Sequence, residues 1–355
     1  MIGRIVLLLI VLAAVAAYTM RGELAMRVYA RAAQANMGAD LLSELPDGLH
    51  VALCGAGSPF PDPQRSGPCL AIIAGKQLLV VDAGTGGARN LQRMDIPAGQ
   101  VAAVLLTHFH SDHIDGLGEL AMLRWVGDAN TTPLPVLGPE GVEQVVQGFN
   151  EAYRLDAGYR TAHHGVAVAP PKGAGMRAET FALPADGRPV TVWEKQGLRV
   201  VAFAVDHTPV SPAVGYRFDY AGRSVIVSGD TKKNANVATQ AEGADLLVHE
   251  ALAAQLVGIL NQAATATNQT SLAKITHDVP DYHATPVEAA EIAAASGVEA
   301  LLYYHIVPSL ILPGLEAAFL QGVDDAYDGE VVVGRDGTLA SLSGNSEEIE
   351  FSHLL

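Results

Sequence analysis

Positive charge is what this chain has least of. Its 355 residues include 22 Lys and Arg against 38 Asp and Glu, a formal net charge of −16. Affinity for nucleic acid rests on cationic side chains that neutralise phosphates, so this balance predicts against a nucleic-acid partner and for a small-molecule anionic ester substrate. Charge of either sign is sparse at 17%, whereas 49% of the residues are hydrophobic, which excludes a disordered chain and leaves ample material for a large core. Cysteine occurs twice, as Cys54 and Cys69, flanking a Gly- and Pro-rich loop. A disulfide across that loop and two buried free thiols both remain open readings. No cysteine lies near the N-terminus to carry a lipid, and no repeat of solenoid length is apparent.

The longest apolar run, Ile5 to Tyr18, follows Arg4 at the very start of the chain. It reads as an export signal with Ala14-Val15-Ala16 as a cleavage candidate, or as an uncleaved membrane anchor. Either reading places the protein outside the cytoplasm, periplasmic or anchored, with the membrane as a partner through that segment. The expected organisation is a signal or anchor over 1–20, a helical spacer over 21–47, one main domain over 48–343 and a tail over 344–355.

The densest chemistry is Thr107-His108-Phe109-His110-Ser111-Asp112-His113, directly after the apolar strand pattern Val101 to Leu106. His108 and His110 alternate along extended backbone and point the same way, while Asp112 and His113 follow on the turn. Three imidazoles and a carboxylate in six residues suit a metal site, and the spacing suits two ions side by side. Further strand patterns end in His207, in Asp230, in His249-Glu250 and in His305, so a β-rich chain delivers ligand-type side chains repeatedly to one kind of place. Thr285 and Glu288 spell a capping box with Pro286 at the first helical position, which puts His283 just before a helix. Asp82, at the close of another strand, is expected to brace the metal loop through hydrogen bonds. Arg65 reads either as a grip on an anionic group or as a tie through carbonyls. Asp156 to Asp186, with His163-His164, reads as a flap or surface insertion.

The order His-x-His-x-Asp-His, followed by His207, Asp230 and His305, resembles the metallo-β-lactamase superfamily from Leu49 to Leu342. The resemblance implies an α/β fold, an αββα four-layer sandwich, preceded here by the N-terminal hydrophobic segment. It implies two divalent metal ions, with zinc the expected identity: His108, His110 and His207 on one, Asp112, His113 and His305 on the other, and Asp230 bridging. It also implies hydrolysis, with Asp112, His283 and Glu250 as catalytic residues. Ser228-Gly229-Asp230-Thr231, His249-Glu250-Ala251 and His283-Ala284-Thr285 resemble the motifs of the ribonuclease Z branch. The transfer-RNA-holding arm expected between Gly215-Tyr216-Arg217 and Ser228 is missing, and Gly57 to Pro68 resembles the arylsulfatase-like subgroup. The expectation is therefore a hydrolase of small sulfate or phosphate esters. Its alternatives are a ribonuclease Z-type phosphodiesterase acting on RNA and a non-catalytic metal-binding protein of the same fold.

Overall fold

The computed structural model describes residues 2–355. Two units separate along the chain, one ending at Asp40 and one starting at Leu41. The first consists of the helices Ile2–Thr19 and Arg21–Asn36. No single helix among the described residues is long and apolar enough to cross a membrane; these two pass that test only together, as a bent pair.

The second unit is built on fifteen strands in two sheets. β1 (Gly48–Gly55), β2 (Cys69–Ala74), β3 (Gln77–Val81), β4 (Val101–Leu105), β5 (Leu134–Gly138) and β6 (Met176–Thr180) enter the first sheet. β7 (Val190–Lys195), β8 (Leu198–Ala204), β9 (Val214–Tyr220), β10 (Arg223–Val227), β11 (Leu246–Leu252), β12 (Ala300–Val307) and β13 (Glu330–Val333) make the second. β14 (Thr338–Ser343) and β15 (Glu350–His353) return to the first, whose order is β15-β14-β1-β2-β3-β4-β5-β6, against β13-β12-β11-β10-β9-β8-β7 in the second.

Period-2 alternation explains the layering. Leu49, Val51 and Leu53 of β1 meet Leu302, Tyr304 and Val248 between the sheets, while Ala52 of β1 faces outward with Leu91, Leu120 and Val146. On the second sheet, Leu247, Leu301 and Tyr303 turn the other way and pack on Val237, Ile292 and Phe319. Strands buried on both faces need helices on both outer sides, and the result is the αββα sandwich that the family resemblance implies.

Two segments differ from expectation. Asp156 to His164 is no loop but the last part of a 23-residue helix, Val142–His164, and leaves His163 and His164 exposed at its C-terminus. Gly158 inside that helix hides the pattern, and Gly165, with φ +80°, ends it. The segment read as a tail supplies β15, which pairs antiparallel with β14.

Cys54 and Cys69 form a disulfide that closes the 55–68 loop. Asp336 holds the same loop from the other side, its carboxylate accepting from the backbone N–H of Ala56 and Ser66 and from the Asn90 side chain. Arg65 is buried and donates to the Gly334 carbonyl at 2.9 Å, so it ties the loop down. A crosslink over a 15-residue separation restricts the unfolded chain, a contribution of about 3 kcal/mol. Denaturant unfolding of the Cys54→Ser/Cys69→Ser double variant should show a loss of about that size. A double variant as stable as the parent would remove the crosslink from the protein's stability.

Candidate active site

Every chemically active loop leaves one edge of the sandwich. β3 and β4 run parallel with Val81 beside Leu105, so Asp82 and Thr107 emerge side by side. The Asp82 carboxylate accepts from the Thr107 N–H and from the Thr107 hydroxyl, both at 2.8 Å, and from His113 Nδ1 at 2.8 Å. Asp82 sits at φ +54°, an uncommon conformation for a non-glycine residue, held here by those three bonds. Close packing also needs glycine: a Cβ on Gly229, at φ +63°, would stand 2.5 Å from the Val214 carbonyl oxygen.

β10 and β11 are parallel, with Val227 beside Val248, and deliver Asp230 next to Glu250. β11 and β12 pair in register through Glu250 and Tyr304, then resume at Ala251 and Ile306. His305 is the extra residue, at φ +44°, and this bulge inside β12 turns its ring toward the cluster. The sequence pattern ended this strand in His305; it continues to Val307. His283 precedes the helix Pro286–Ser296, whose capping box forms in full between Thr285 and Glu288.

The centre of the cluster is Asp230 Oδ2. It lies 3.3 Å from His113 Nε2, 3.3 Å from His305 Nε2, 3.8 Å from His108 Nε2 and 3.9 Å from His207 Nε2. Asp112 Oδ2 stands 3.3 Å from His305 Nε2 and 3.6 Å from His113 Nε2, and His110 Nδ1 lies 3.4 Å from His207 Nε2. Two groups of potential ligands come together this way, His108, His110, His207 and Asp230, and Asp112, His113 and His305. A third, Asp230, His283 and His305, overlaps both, so His283 is within ligand range as well as beside the cluster.

Hydrogen bonds at the outer nitrogens orient these rings. Asp82 takes Nδ1 of His113, the Tyr282 carbonyl takes Nδ1 of His207 at 2.9 Å, and the Thr107 hydroxyl meets Nδ1 of His108 at 3.1 Å. Each ring then presents Nε2 inward as an acceptor, the arrangement a metal ligand needs. Glu250 Oε1 pairs with His283 Nδ1 at 3.0 Å and accepts from the N–H groups of Thr231 and Ala284.

Burial and neighbouring charge divide the titration. Burial, with the charge of His113, holds His108 well below the usual histidine range, and burial brings His207 down to about 4. Burial would also lower His113, but Asp230, Asp82 and Asp112 outweigh it and hold the ring well above its ordinary value. Asp230 is fully buried, yet His305, His113 and His108 keep it well below the carboxylate range. Burial and the Asp230 charge push Glu250 well up, while burial takes His283 down. His249 is pushed to about 4 by burial and bonds a backbone carbonyl, a neutral core histidine.

A buried His and Asp cluster compatible with divalent metal binding, at the loop edge of an αββα sandwich, defines a metal-dependent hydrolase of the metallo-β-lactamase fold. A family model described as a beta-lactamase superfamily domain matches residues 78–306, and the chain belongs to that superfamily. Ribonuclease Z of Mycobacterium avium is 36% identical over 290 residues, covering 81% of this chain and 96% of the relative. Ribonuclease Z of Mycolicibacterium gilvum is 34% identical over 293 residues, covering 81% and 94%. Among solved structures, the short form of human tRNase Z superposes with a TM-score of 0.58 at 20% identity, covering 82% of this chain and 99% of its own. The metallo-β-lactamase fold protein YhfI of Bacillus subtilis gives 0.59 at 19%, with the same coverage.

These relatives correct three expectations. The arylsulfatase-like assignment drawn from Gly57 to Pro68 finds no support in them. Nucleic acid as an unlikely partner is overturned, because the relatives bear the name of an enzyme of RNA. The exported or anchored location is withdrawn too, because the matched relatives are ribonuclease Z proteins.

Sequence reasoning missed the Tyr282 carbonyl as the group orienting His207, although Tyr282 adjoins His283 in the chain. Asp82 was legible as a brace, but its bond to His113 was not. Conversion of Asp82→Asn should weaken metal affinity about 10- to 100-fold, the usual cost of losing such a partner. Competition with a chromophoric chelator measures this; an unchanged affinity would dismiss Asp82 as an orienting group.

Proposed function

We propose that this protein is a dinuclear metal-dependent phosphodiesterase of the ribonuclease Z type that cleaves RNA. The observation that carries the reading is the 36% identity to a ribonuclease Z over 96% of that relative's length. The site fits the metals this chemistry needs. Nε2 of His108 and His113, Oδ1 of Asp230 and Nδ1 of His305 are buried and, among the described residues, lack hydrogen-bond partners. Imidazole and carboxylate donors without thiolate suit zinc. His108, His110 and His207 would hold one ion, Asp112, His113 and His305 the other, with Asp230 between. When bound, two such ions lower the pKa of water toward neutrality and polarise the oxygens of the ester.

The chain's own groups supply the rest. His113 and His305 flank Asp112 and hold its carboxyl below the ordinary range despite burial, so it is ionised near neutral pH and can accept the attacking water's proton. His283 lines the cavity, and its Nδ1 is engaged by Glu250, which leaves Nε2 to face the leaving oxygen. Burial lifts Glu250 and lowers His283, so the pair retains a proton near neutral pH, seated toward Glu250. As negative charge grows on the leaving oxygen, His283 gives it the Nε2 proton and takes the Glu250 proton at Nδ1.

Two experiments test this. Metal-loaded protein should cut a single-stranded RNA oligonucleotide at an internal phosphodiester, and a chelator should abolish the cleavage; intact RNA in the presence of two bound metals would defeat the reading. His283→Ala should keep both ions by elemental analysis and slow alkoxide leaving groups about 10²- to 10⁴-fold more than nitrophenolate. Loss of an ion would instead make His283 a ligand, and a uniform loss across leaving groups would remove it as the acid.

A further inference from the structure

The cluster opens into a cavity of about 410 Å³ whose lining is strongly unequal. His110, Ser111, Asp112, Asp230, His283 and His305 supply its polar part. The remainder is apolar, with Phe60, Leu272, Ile275, Val279, Tyr282 and Val307, and among the described residues no Lys or Arg lines it. Four separate elements build this wall, one of them β12, which supplies Val307. Phe60 comes from the loop closed by the disulfide, Leu272 and Ile275 from the helix Thr270–Asp278, and Tyr282 from the turn that follows it.

The wall is supported from behind. Leu252, Val257, Val279 and Val307 form a small buried cluster of their own, with Phe60 and Tyr282 packed against it. Asn261 of the helix Ala254–Ala266 donates to the Ala273 carbonyl and to the Thr276 hydroxyl, which fixes the helix bearing Leu272 and Ile275. Those two side chains are nonetheless 37% and 54% exposed. Large apolar side chains grouped at the mouth of a polar site mark surface that a ligand covers.

We propose that this wall is a subsite for one planar aromatic group carried on the scissile phosphodiester, in RNA a single unpaired nucleobase; the RNA part rests on the function proposed above. Aromatic and branched aliphatic side chains recognise the flat face of a base by stacking and burial, without regard to charge. Recognition of the phosphate then falls to the metal cluster. The volume suits one mononucleotide unit, in the range of small-ligand sites.

The test compares two ligands on metal-loaded protein by calorimetry: adenosine 5′-monophosphate and ribose 5-phosphate, which differ by the base. The nucleotide should bind about 5- to 150-fold more tightly, the usual effect of stacking one base. Phe60→Ala and the exposed-site variant Leu272→Ser should each shrink that ratio toward one, while the Kd of ribose 5-phosphate stays unchanged. Equal affinities, or a ratio that neither variant alters, would overturn the subsite; circular dichroism checks that both variants are folded. The same samples are offered an RNA oligonucleotide and bis(4-nitrophenyl) phosphate. A base preference with hydrolysis of the aryl diester but not of RNA would keep the subsite and sink the RNA reading.

Discussion

The structure depends on one buried carboxylate. Asp230 has four imidazole nitrogens within 3.9 Å of a single oxygen, and the residue is almost wholly removed from solvent. An isolated charge there would cost several kcal/mol, and protonated rings around it would repel one another. Shared cations resolve both conflicts, because each ring can then stay neutral and face inward. The loops after β4, β8 and β10 and the bulge in β12 all serve this one convergence. Both sheets must keep their separation for it to hold, so the inter-sheet core and the site are mechanically the same object.

Two of the seven non-glycine residues at positive φ among the described residues sit at that convergence. Asp82 and His305 both occupy positive φ without being glycine, and both touch His113 or its partners. In each case neighbouring bonds impose the conformation: three donors on the Asp82 carboxylate, and flanking β-pairing on both sides of His305. Such positions survive only when the surroundings over-determine them. The disulfide and Asp336 do comparable work for the 55–68 loop, which carries Phe60 into the cavity.

Much of this was legible in the residues. Short apolar runs announced the strands, the capping box located the helix after His283, and His-x-His-x-Asp-His with its distant partners pointed to the sandwich. The assignment rested on chemistry concentrated at few positions. What stayed hidden depends on register and on tertiary contact. Nothing local tells that His305 is a bulge, because the extra residue exists only relative to Glu250 and Ala251 on the neighbouring strand. Leu272 and Ile275 have the ordinary i, i+3 spacing of an amphipathic helix, and only the folded chain shows that their face meets the metal cavity. Gly158 disguised a helix as a loop because propensity is a weak guide once packing decides.

The charge argument failed for a different reason. Net charge governs long-range steering and the salt dependence of binding, and a chain at −16 should gain little from either with a polyanion. It does not govern contacts at one phosphate. A site that meets the phosphate with cations held by Asp112 and Asp230 needs no lysine for that contact, and a wall of Phe60, Tyr282, Leu272 and Ile275 needs none to hold a base. Acidic residues elsewhere then become compatible with RNA, provided that the bound segment is short and single-stranded. The missing arm points the same way. β9 and β10 are joined by only Ala221 and Gly222, so on the function proposed above this hairpin adds nothing to recognition beyond the cavity and its rim.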